Sequence, residues 1–276
     1  MRVLLTGANG LLGSTIQEHF PASWELVALG KEALDIRDAA RIAHQLQHYQ
    51  PDVLLNCAAY TAVDKAETEV DLAMSLNATG PSLLAQATAS VEVPLVHIST
   101  DFVFDGTKPS PYLENDSISP LSVYGHTKAL GERFVRQHNP QHLVVRTAWL
   151  YGDRAPGFPH LLIKLAQRGA LRVVTDQRGS PTYAPHLAEG LFRAIANQCR
   201  GTLHLTGAGS ATRYEWAECL MEHLQVDVDI GEALASDFAT DATRPENSAL
   251  HSDHPGKFQL PDWRDGVAAF AASQTH

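Results

Sequence analysis

The chain has 276 residues, 44% of them hydrophobic, which is enough for one full core or a core with a smaller appendage. Its formal net charge is −10 and its Lys and Arg residues form no cluster, so no basic face exists for a nucleic-acid backbone and no nucleic-acid partner is expected. No run approaches the roughly 18–20 apolar residues that cross a bilayer, and the N-terminal apolar run reads as a first strand rather than a signal peptide. Cys57, Cys199 and Cys219 form no CxxC pair, and the 14 histidines form no HExxH or paired Cys/His grouping. Disulfides and a metal site are therefore not expected, and a reducing cytoplasm is the expected location.

In chain order, Val3–Leu5, Leu26–Leu29, Val53–Asn56, Leu95–Ser99 and Leu143–Arg146 are short apolar runs bounded by turn or polar residues, the pattern of strands buried on both faces. Helical patterns lie between them at Leu11–Phe20, Ala39–Gln47, Ala66–Ser90 and Ser122–Gln137. Strands alternating with helices predict an α/β, doubly wound parallel sheet, because parallel neighbours need a crossover. Beyond Trp149 the elements shorten among Pro159, Pro181 and Pro185: a helix over Phe158–Arg168, a strand over Leu171–Val174, and helices over Pro185–Asn197 and Arg213–His223. The expected division is a sheet domain over 1–150 and a smaller, mainly substrate-covering portion over 151–276 whose segments interleave with the sheet.

The segment Thr6-Gly7-Ala8-Asn9-Gly10-Leu11-Leu12-Gly13 follows the first strand and opens the first helix. Glycines suit a tight turn whose backbone approaches a pyrophosphate, and the helix N-terminus offers free N–H groups and a positive dipole end. Spacing alone would also fit a glycine turn kept for packing; its place straight after an apolar strand points to a dinucleotide. A carboxylate about 20 residues further on would hold the ribose 2′-hydroxyl. Leu29-Gly30-Lys31 offers none, so Lys31 is either solvated or set beside a 2′-phosphate, and NADPH or NADH is the expected cofactor.

Tyr124-Gly125-His126-Thr127-Lys128 places a phenol and an ammonium on one helix face, since residues four apart are neighbours. A nearby cation lowers a tyrosine pKa towards the working range, so this pair is an acid–base centre for carbonyl reduction. Thr100 and Asp101 end the fourth strand, where active-site side chains of such sheets sit. Thr100 can bond a substrate carbonyl; Asp101 either binds a sugar hydroxyl or caps a turn.

These residues together resemble the extended short-chain dehydrogenase/reductase family, which implies a Rossmann-type fold. The likeness runs over nearly the whole chain. Its most specific parts are Asn56-Cys57-Ala58-Ala59-Tyr60-Thr61-Ala62-Val63-Asp64-Lys65-Ala66-Glu67, Asp176-Gln177-Arg178-Gly179-Ser180-Pro181-Thr182 and Arg244-Pro245-Glu246-Asn247-Ser248. The resemblance implies that Gly10, Leu11 and Leu12 lie on the cofactor phosphates, that Asp35 and Ile36 border the adenine, and that Ala59, Tyr60 and Thr61 line the rest of the cofactor path. Tyr124 is then the proton donor and Lys128 also holds the nicotinamide ribose. Thr100, Asp101 and Trp149 contact the sugar of a nucleotide-linked 4-keto substrate, with Trp149 offering a flat apolar face unless it is ordinary packing. Arg244 suits the nucleotide diphosphate unless it is a surface ion pair. The implied reaction is reduction at C4 of dTDP-4-dehydro-L-rhamnose. The alternatives are a 4-ketoreductase of another deoxysugar and a non-catalytic regulatory subunit of the methionine adenosyltransferase β type. Some relatives form a magnesium-bridged dimer through a glutamate after the glycine turn; Ser14-Thr15 stand there, so that bridge is not expected and a homodimer is left open. Thr243-Arg244 replaces a common pair of arginines.

Overall fold

The computed structural model describes residues 1–154, 157–169, 171–253 and 258–274. Five strands, β1 (Arg2–Thr6), β2 (Glu25–Leu29), β3 (Val53–Asn56), β4 (Leu95–Thr100) and β5 (His142–Thr147), run parallel. The strand Gly201–His204 pairs with β5, giving a six-stranded sheet in the order 201–204, β5, β4, β3, β1, β2. The sheet is thus doubly wound and Rossmann-type, as the alternation of patterns predicts.

Successive residues of each strand face opposite sides, and both sides are covered. Val3, Leu5, Leu55 and Val145 pack with Leu12 and Ile16 of helix α1 (Leu11–Glu18) and with Leu187 and Leu191 of the helix Ala184–Ala196. Leu4, Leu54, Leu95 and Val144 pack on the other side against Ile42 and Leu46 of α2 (Ala39–Tyr49), Leu84 of Gly80–Ser90 and Val135 of Val123–His138. Each such burial is worth about 1.5–3 kcal/mol. A separate apolar cluster is built on Tyr151, Leu162, Trp216 and Phe270. The strand Leu171–Val174 pairs with Ile230–Ala233, not with the central sheet.

Two features differ from the sequence pattern. The helix expected over Ala66–Ser90 is broken into Val63–Ala66, Val70–Met74, a π-helical turn Ser75–Thr79 and Gly80–Ser90. Pro81 lacks an N–H, and the widened turn before it carries the chain past the lost bond. The strand Gly201–His204 and the helix Trp263–Ser273 are additions to the elements expected, although Trp263, Val267, Phe270 and Ala271 recur at helical spacing; they pack on the sheet edge and in the second apolar cluster.

The strand order reverses between β1 and β3, so their carboxyl ends diverge and open a crevice, where ligands of such sheets bind. A buried hydrogen-bond chain holds this end together. Thr6 Oγ1 donates to Asn56 Oδ1 (2.6 Å), which also accepts from the Ala58 N–H, while Asn56 Nδ2 meets His97 Nδ1 at 2.9 Å.

Candidate active site

The crevice is a cleft of about 440 Å³ that starts on Gly10–Gly13 and reaches Tyr124, Lys128 and Trp149. At its first end, Gly7 has φ +70° and an added Cβ would lie 2.5 Å from the Ala58 nitrogen. A Cβ on Gly13 would lie 2.2 Å from the Gly7 carbonyl oxygen, so the turn closes only without side chains there. Helix α1 has no side-chain cap and no acidic residue in its first turn. Its free N–H groups and dipole face the cleft, which is what a pyrophosphate needs. Ala59 and Thr61 line the next stretch. The Tyr60 side chain turns away to Glu69 (2.7 Å), while its backbone is clamped by Asn77, which accepts from the Tyr60 N–H and donates to its carbonyl. The Thr147 hydroxyl is buried without a hydrogen-bond partner and lines the same cleft, ready for a polar group of a bound cofactor.

Ser122 caps the helix Val123–His138 by accepting from the Gly125 N–H, which presents Tyr124 in the first turn. Tyr124 is half-buried, edge-on to Phe102 at 5.7 Å. Lys128 is buried and donates to the Ile98 carbonyl at 2.6 Å. The cation was expected to lower the phenol; instead burial pushes Tyr124 up to about 12, with the Thr100 hydroxyl pulling it down and Asp101 adding to the rise. The Lys128 ammonium is held by a backbone carbonyl, and burial brings its own pKa down to about 8 against the opposing charge of Glu132.

At the substrate end, Thr100 accepts from the Phe102 N–H and is itself the cap of the short turn Asp101–Val103. Asp101 is therefore not the cap. It is buried, accepting from Ser248 (2.5 Å) and Thr100 (3.0 Å), and burial raises its carboxyl to about 6. Trp149 adopts φ +44°, a left-handed conformation uncommon for a bulky residue. This lays the indole on Gly179, where a Cβ would sit 2.3 Å from a ring carbon. The Arg213 guanidinium covers the ring, 3.5 Å from its centroid, so the face expected to meet a sugar is itself covered by a cation.

Several residues lie outside the cleft lining. Asn9 packs on Gly30, its amide nitrogen 2.6 Å from where a Cβ would be. Asp35 binds Arg37 (2.5 Å), which takes its pKa down to about 2, while the buried Ile36 packs on Gly80 in the core. Arg244 is paired with Asp64 at 2.7 and 3.1 Å. Asn77, Thr147 and Arg213 carry no local signal for a site, because what each meets (the Tyr60 backbone, the cleft, the Trp149 ring) is brought to it from elsewhere in the chain.

A cleft that begins on an uncapped helix N-terminus and ends beside a desolvated phenol suits a dinucleotide held against a proton donor, the plan of the short-chain dehydrogenase/reductases. The chain belongs to the family described as RmlD substrate binding domain, which matches residues 1–275. It is 35% identical over 282 residues to a dTDP-4-dehydrorhamnose reductase of Sinorhizobium fredii, covering 97% of this chain and 95% of that one. It is 39% identical over 275 residues to a probable dTDP-4,6-dihydroxy-2-methyloxan-3-one 4-ketoreductase of Streptomyces antibioticus, covering 97% and 93%. Among solved structures, dTDP-4-dehydrorhamnose reductase of Bacillus anthracis in complex with NADP superposes with a TM-score of 0.95 at 35% identity, covering 99% of each chain.

Proposed function

We propose that the protein reduces the C4 keto group of dTDP-4-dehydro-L-rhamnose with NADPH or NADH, giving dTDP-L-rhamnose. The observation that carries this reading is the meeting of the phosphate-type turn, Tyr124, Lys128 and Thr100 in one cleft, in a chain that matches reductases of this kind along its whole length. The nicotinamide supplies a hydride to C4. The Gly10 N–H closes the turn on the Gly7 carbonyl, so the backbone N–H groups of Leu11 and Leu12 beside it would hold the pyrophosphate, and Ala59, the Tyr60 backbone and Thr61 would guide the rest of the cofactor. Thr100 bonds the keto oxygen and Tyr124 gives its proton to that oxygen as negative charge develops. A phenol raised to about 12 stays protonated at neutral pH and so enters turnover as the acid. Lys128, whose ammonium rests on the Ile98 carbonyl and has further N–H donors, would hold the nicotinamide ribose and stabilise the phenolate that is left.

NADPH is the preferred cofactor in this reading. The position where a 2′-hydroxyl would meet a carboxylate is Gly30, and Asn9 already fills the space of a side chain there. Lys31 and Arg37 are exposed nearby, and Lys31 lies close enough to Asp35 to act on its charge. The Streptomyces antibioticus likeness supports a second reading, the same ketoreduction on another dTDP-deoxysugar. Purified protein mixed with NADPH and dTDP-4-dehydro-L-rhamnose should oxidise the cofactor, and NMR of the product should show the L-rhamno configuration. A different configuration selects the second reading; no oxidation with cofactor still bound refutes both. Tyr124→Phe should lower kcat/KM by roughly 10²–10⁴-fold with NADPH affinity unchanged.

A further inference from the structure

Arg213 begins the helix Arg213–Leu224 in the smaller portion, yet its side chain lines the catalytic cleft alongside Thr100, Asp101 and Trp149. Its guanidinium lies 3.5 Å from the centre of the Trp149 ring and 4.9 Å from that of Phe158. These faces fix the plane of the fork and cover part of the half-buried side chain. Among the described residues the fork makes no hydrogen bond and no salt bridge; only the backbone N–H is used, on the Gln177 carbonyl. The fork opens on the cleft, so its planar set of donors is available to an anion that enters there.

The neighbouring charges say which anion. The nearest carboxyl, Asp101, is already accepting from Ser248 and Thr100. Arg244 is close enough to repel Arg213 electrostatically, and its own fork is occupied by Asp64. Two arginines and two carboxylates therefore meet at this end of the cleft, and among the described residues Arg213 is the arginine of the pair with no direct bond to a carboxylate, next to the threonine and tyrosine that would hold the keto group. Resting on the reading of the protein as a nucleotide-sugar reductase, we infer that Arg213 anchors the substrate through its diphosphate, binding the phosphate joined to the sugar. Trp149 then serves as the platform that aims the guanidinium rather than as the surface on which the sugar stacks. Gly179 is needed because it leaves room for that platform.

The test compares dTDP with thymidine, which lacks the phosphates, by calorimetry on the NADPH-bound protein. The wild type should bind dTDP far more tightly than thymidine. Arg213→Gln should weaken dTDP by about tenfold or more while thymidine and NADPH affinities stay within about twofold, because only charge-assisted bonds to phosphate are removed. In turnover the same variant should raise KM more than it lowers kcat. Equal weakening of dTDP and thymidine would mean that Arg213 merely props up Trp149, and an unchanged dTDP affinity would mean that it touches no phosphate; either overturns the inference, as does a wild type that ignores dTDP. If Arg213→Gln fails to hold NADPH, Arg213→Lys takes its place. Lysine keeps the charge but not the fork, so dTDP affinity must fall by several-fold, and an undiminished affinity overturns the inference. Arg213-dependent dTDP binding without turnover of the 4-keto sugar would sink the proposed reaction and leave this inference standing.

Discussion

Replacing Glu132 by glutamine tests how the helix that carries Tyr124 and Lys128 is held to the sheet. Glu132 lies one turn beyond Lys128 and is fully buried. Its carboxylate accepts from Arg146 at 2.9 and 2.8 Å, from Arg136 at 2.7 Å and from Ser99 at 2.5 Å. Arg146 has 3% of its side chain exposed and sits over the Phe104 ring, so it has nowhere else to place its charge. Burial raises the Glu132 carboxyl, but Arg146 and the other donors override it and bring it from 4.5 down to about 2. Such a depression corresponds to about 3 kcal/mol at neutral pH, and breaking a buried ion pair from one side costs about 3–5 kcal/mol. The two routes agree, and the loss is a large share of a total stability of about 5–15 kcal/mol. The native state holds the proton less tightly than the unfolded chain, so this stability is present above pH 4.5 and drains away as pH falls towards about 2. Urea unfolding of Glu132→Gln at neutral pH should show the loss, and its stability should vary less between neutral and acid pH than that of the wild type. A second consequence reaches the chemistry. Glu132 supports the charge on Lys128, so the variant should lose activity at a lower alkaline pH. A variant within about 0.5 kcal/mol of wild type at neutral pH, with an unmoved alkaline limb, would refute the reasoning.

Three further outcomes are expected. Gly13→Ala should abolish NADPH binding, because its Cβ would meet the Gly7 carbonyl oxygen at 2.2 Å and the turn would have to open; fluorescence titration of NADPH checks it. Lys31→Ala combined with Arg37→Ala should lower kcat/KM for NADPH by about tenfold and leave NADH nearly unchanged, and an equal loss for both cofactors would argue against a 2′-phosphate contact. Asn56→Ala should cost about 1–3 kcal/mol, read in thermal unfolding, because Thr6, Ala58 and His97 all lose a buried partner.

The strands β1 to β5, the turn between Gly7 and Gly13, and the sharing of one helix face by Tyr124 and Lys128 were all legible in the chain as written. Each depends on neighbours two, three or four residues apart, and those spacings are carried by backbone geometry. The environment of the same groups was not. Spacing put a cation beside Tyr124, but the β4 carbonyl of Ile98 takes the Lys128 ammonium, and burial sets the phenol high. Asn77, 17 residues beyond Tyr60, becomes its clamp only when a π-turn aims it back. Trp149 reads as a sugar platform until Gly179 and Arg213, far along the chain, close on its two sides. Arg244 was a candidate for phosphate, and tertiary contact has given it Asp64, 180 residues away. Local periodicity encodes the glycine turn at the head of the cleft and the helix that carries Tyr124 and Lys128, and both can be read from the chain. Which cations near that cleft are paired with carboxylates follows from tertiary contact alone, because charge and burial are set by residues that no local pattern brings together.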